Sequence, residues 1–70
     1  MTASPVLYAK GYSKDDGETP IYFWGLGNYK YEIERIVSGA DRLTLSEVFE
    51  SSYEEAMIKF EKMVDKVVML

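Results

Sequence analysis

Apolar and polar positions divide the chain into a β-patterned first two thirds and a helical last third. From Ser52 onward, Tyr53, Met57, Phe60, Val64 and Val67 recur at alternating spacings of four and three, which is one helical stripe. Ala56 and Met63 widen it. Glu54, Glu55, Lys59, Glu61, Lys62, Asp65 and Lys66 lie mostly off it. Ser52 and Glu55 have capping-box spacing: the hydroxyl accepts from an orphan backbone N–H and the carboxylate reaches back. The pattern predicts a helix over 52–68.

Upstream, the period is two. Residues 6–12 are rich in strand formers, with Leu7 and Ala9 on one side and Tyr8 and Tyr12 on the other. Residues 13–20 form a polar turn, and their Asp16–Gly17 pair is a hairpin signal because glycine tolerates positive φ. Residues 21–24 make an aromatic-dense second strand, broken by Gly25, Gly27 and Asn28. Over 29–37, Tyr29, Tyr31, Ile33 and Val37 share a face, while Lys30, Glu32 and Glu34 take the other. A turn around Gly39 covers 38–41. Over 42–49, Leu43 and Leu45 alternate with Arg42, Thr44 and Ser46, favouring a strand; Thr44 and Glu47 offer the alternative of a capping box opening a short helix.

The expected fold is α+β: a small four-stranded antiparallel meander sheet covered on one face by a C-terminal helix, in the order ββββα. It occupies one domain over 1–70, with a loose leader over 1–5, the sheet over 6–50 and the helix beyond. A chain of 70 residues buries only about 60% of its unfolded surface. With no cysteine there is no disulfide, and with no histidine the usual zinc ligand sets are missing, so packing or self-association must supply the stability. At 47% hydrophobic, the composition is that of a packed core and not of a disordered chain.

Charge narrows the partners. Twelve acidic against eight basic residues give a net charge of −4, and nucleic-acid binding draws most of its affinity from clustered Lys and Arg. Nucleic acid is therefore disfavoured, and a protein with a basic surface fits better. The first ten residues lack a basic n-region and a long apolar run, and no segment approaches the ~20 apolar residues of a membrane span. These absences, with that of cysteine, make the cytoplasm the expected compartment.

Histidine and cysteine are the commonest acid–base and nucleophilic groups, and both are missing, so no enzyme, catalytic residue, cofactor or metal is expected. Asp15, Asp16 and Glu18 are the densest carboxylates and suit a solvated turn. The aromatics carry more. If Leu7, Ala9, Ile21 and Phe23 face the helix, then Tyr8, Tyr12, Tyr22 and Trp24 share the opposite face, rimmed by Glu32 and Glu34. Tyr and Trp dominate binding hot spots, so these six are the expected partner-binding residues. A one-residue slip in register instead makes the rings the core.

The expected function is a small acidic, non-enzymatic protein-binding module. Its size and charge suit a viral or mobile-element inhibitor of a host protein, of the anti-CRISPR or another anti-defence type, acting by surface occlusion. The alternatives are a sheet-surface binder of single-stranded nucleic acid and a structural or regulatory homo-oligomer, with a homodimer as its simplest form.

Overall fold

Apolar side chains at alternate positions of the central strands lie beneath a single helix. The computed structural model describes residues 4–37 and 43–70. Its elements are β1 (Val6–Ser13), β2 (Pro20–Gly27), β3 (Lys30–Val37), β4 (Leu43–Glu50), α1 (Tyr53–Met63) and β5 (Val64–Met69). They form one antiparallel sheet of five strands in the order β4-β3-β2-β1-β5, with α1 on one face. The expected meander is β1 to β4. The fifth strand is a correction to the four-stranded expectation.

The correction follows from where the helix ends. Ser52 caps it as its spacing predicts, its Oγ accepting from the Glu55 N–H at 3.3 Å. The helix then stops at Met63 and does not run to residue 68. Val64 is already extended (φ −129°, ψ 153°), and 64–69 pair with β1. Val64, Val67 and Val68 are β-branched and favour strand over helix, and the free edge of β1 offers them backbone partners. The Lys14 N–H donates to the Met63 carbonyl at 3.1 Å and satisfies one of the helix's last acceptors. The stripe thus serves two elements: Ala56 and Phe60 are buried from α1 and Val64 from β5.

The core is Ala9, Ile21, Phe23, Tyr31, Ile33, Ala56, Phe60 and Val64, with Tyr8, Phe49 and Met57 packed against it. Phe23 stacks between Tyr31 and Phe60, with ring centroids 5.5 and 5.3 Å away. Residues 43–50 are strand, so the short-helix alternative for 42–49 is set aside. The turn expected over 38–41 lies outside the described residues.

The expected break after β2 comes at Gly27 and Asn28 but not at Gly25. Gly25 is inside β2, and a Cβ there would sit 2.2 Å from the Tyr8 ring, so glycine makes room for that ring. Gly11 likewise gives way to Val64, whose Cβ would lie 2.8 Å from an added methyl. Tyr29, expected on a strand, is in the β2–β3 turn. Asn28 and Tyr29 have φ of 53° and 60° between the paired Gly27 and Lys30. This is the two-residue hairpin loop with positive φ at both positions that suits strand twist.

Candidate protein-binding face

Among the described residues, the helix covers one face of the sheet and nothing covers the other. Directly paired residues share a face, so the register lays the open face out in rows. One row runs Val68, Lys10, Tyr22, Glu34, Ser46 from β5 to β4. The next runs Leu7, Trp24, Glu32, Val48. Beyond the first row, Tyr12 lies between Asp65 and Pro20. Ile21 and Phe23 turn to the helix, so Tyr22 and Trp24 must turn away from it.

Tyr12, Tyr22, Trp24, Glu32 and Glu34 therefore come together on the open face, all half-buried among their neighbours. Tyr8 does not join them, which corrects its assignment to this group. A bulge between Leu7 and Ala9 inserts an extra residue into β1 and turns Tyr8 toward the helix. Its ring meets Tyr53 edge-on at 5.6 Å and lies 6.0 Å from Phe23. The same bulge moves Leu7 off the expected core side and sets it opposite Trp24.

The polar groups of this face are held laterally. The Trp24 Nε1–H donates to Glu34 Oε1 at 3.1 Å. The Lys10 ammonium lies 5.6 Å from the Tyr12 ring centre and 6.0 Å from that of Tyr22, within cation–π range. Among the described residues, the ion pairs are Arg35 with Asp15 and Lys59 with Glu47; Lys10, Glu32 and Glu34 enter none. Pro5, Trp24, Glu32 and Glu34 line a shallow cavity of about 190 Å³ on this face. An indole beside two carboxylates can receive a partner's cationic side chain by cation–π contact and charge pairing.

Lys10 and Leu7 also lie on this face, Leu7 against the expectation that it turns to the helix. Lys10 was legible, because it alternates with Tyr12 on one strand. Leu7 depended on the bulge, and its one trace is Gly25, a mid-strand glycine that marks a close approach.

The acidic turn has its own internal chemistry. Asp16 Oδ1 accepts from the N–H groups of Glu18 (2.8 Å) and Thr19 (2.9 Å), and Oδ2 accepts from the Thr19 hydroxyl. The Thr19 hydroxyl bond, then the two N–H bonds, hold the Asp16 carboxyl at about 2, below its ordinary 3.8. Its oxygens serve the turn itself. Among the described residues, no group of three or more acidic side chains is placed to hold a metal ion, and no helix is long and apolar enough to cross a membrane.

Comparison with known protein families, with characterised proteins and with solved structures finds no match.

Proposed function

We propose that this chain is a non-enzymatic protein-binding module that acts by laying its open sheet face over a partner and occluding it. One observation carries the reading. Tyr12, Tyr22 and Trp24 cluster on a face that none of the described elements covers, beside Glu32 and Glu34 and a cavity that suits a cation. Uncovered aromatic clusters mark contact surfaces, and Tyr and Trp supply large contact area with few rotors. The carboxylates and the net charge of −4 favour a partner with a basic surface, whose approach they steer. Inhibition of a host protein, of the anti-CRISPR or another anti-defence type, is the setting that this size and charge suit best.

The test is capture of partners from the native host by the wild-type chain and by Tyr22→Ala and Trp24→Ala, with urea melts of each. Each truncation is expected to cost on the order of 2 kcal/mol in affinity, about thirtyfold, at a nearly unchanged midpoint. Captured partners held equally by wild type and both variants would remove the face from function. Micromolar binding to oligonucleotides that weakens steeply with salt would favour nucleic acid instead.

A further inference from the structure

The open face is self-complementary, and we infer that a second copy of this chain occupies it as a face-to-face homodimer. The inference rests on the open face being a contact surface, as proposed above, and adds what covers it. Lys10 on β1 and Glu34 on β3 flank Tyr22 in one row, one strand to either side. They form no ion pair with each other, and among the described residues neither has an ion-pair partner.

Symmetry supplies the partners. A two-fold axis parallel to the strands and passing over β2 stacks β2 on β2 and β1 on β3 of the second copy. Each Lys10 then sits over a Glu34, on both sides of the stacked Tyr22 pair. Tyr22 meets Tyr22, and Trp24 meets Trp24. The incoming ammonium arrives beside the cavity lined by Pro5, Trp24, Glu32 and Glu34. A two-fold axis across the strands would instead stack β3 on β3 and crowd four carboxylates together, a like-charge arrangement that suppresses association. Charge thus selects one axis, with the strands aligned as in a β-sandwich.

Area sets the strength. A face five strands wide and six residues long measures about 24 by 20 Å, so two copies cover about 1,000 Å². That is below the ~1,200–2,000 Å² of stable specific interfaces and in the range of weak, transient ones. The dimer is therefore weak and concentration-dependent, and a basic partner displaces the second copy by offering the same chemistry as its Lys10.

Sedimentation equilibrium of the full chain from about 10 μM to about 1 mM reads the association, with a dissociation constant expected on the order of 100 μM. Lys10→Glu and Glu34→Lys are each expected to weaken it at least about tenfold, and the double variant to return within about threefold of wild type. The two reversals move the net charge in opposite directions, from −4 to −6 and from −4 to −2. Weakening by both therefore excludes a general charge effect. Lys10→Gln, expected to weaken the dimer about threefold, replaces Lys10→Glu should the reversal unfold the chain.

A chain that is monomeric at every concentration, a dimer indifferent to either reversal, or a double variant that stays weak would each overturn the inference. The proposed function is judged separately, by whether Tyr22→Ala loses the captured partner. Salt-sensitive quenching of Trp24 by single-stranded oligothymidine in a monomeric chain would assign the face to nucleic acid and overturn both.

Discussion

Tyr29 is at odds with its own backbone. It sits at φ 60° in a two-residue turn where glycine is favoured, and the residue is 77% exposed. Nothing buried repays the strain at that position. Tyr29→Gly is therefore expected to raise stability by about 1 kcal/mol, read as a higher urea midpoint, while Tyr29→Ala, which keeps the Cβ, gains little. An unchanged or lower midpoint for the glycine variant would mean that the ring supports the turn. At this scale the sequence was only partly legible. Tyr12, Tyr22 and Trp24 follow from alternation with Ile21 and Phe23, but one bulge exchanged Tyr8 for Leu7. A bulge is set by packing across the sheet, here by the space above Gly25, which period-two counting along one strand does not register.

At the scale of elements, α1 and its covering contacts decide stability. Phe60 is wholly buried, stacked on Phe23 and centred in the stripe. Phe60→Ala is expected to cost about 3–5 kcal/mol in a urea melt, enough to unfold much of so small a domain. A loss below about 1 kcal/mol would take Phe60 out of the core. The start of this helix was written locally, in Ser52 and Glu55. Its end was not, because Val64 and Val67 continue the helical stripe as well as they continue a strand. What ended the helix at Met63 was the unpaired edge of β1, fifty residues earlier in the chain. A local period cannot choose between a further turn of helix and a distant backbone partner. For 43–50 both readings were also open, and pairing with β3 along all eight residues decided for strand.

For the whole molecule, the sheet is two kinds of structure. β1 to β4 are joined neighbour to neighbour, whereas β5 reaches β1 only after α1 has crossed from one edge to the other. Val64 anchors β5, but Val67, Val68, Met69 and Leu70 are exposed, so little apolar burial holds its far end. Amides shared between β5 and β1 are expected to exchange with deuterium at least about tenfold faster than those at the centre of β2 and β3. Equal protection would mean that the sheet opens as one cooperative unit.

The pairing of Ala9 with Met69 also fixes an order of events in time. Neighbouring hairpins such as the one closed by Gly27 and Lys30 need only a short loop to meet and form on the microsecond scale. The last strand must wait for nearly the entire chain to be in place, and loop-closure entropy is paid before its contacts return anything. Until it arrives, the outer backbone of β1 stands unpaired, and any extended segment that arrives first can take the place meant for β5.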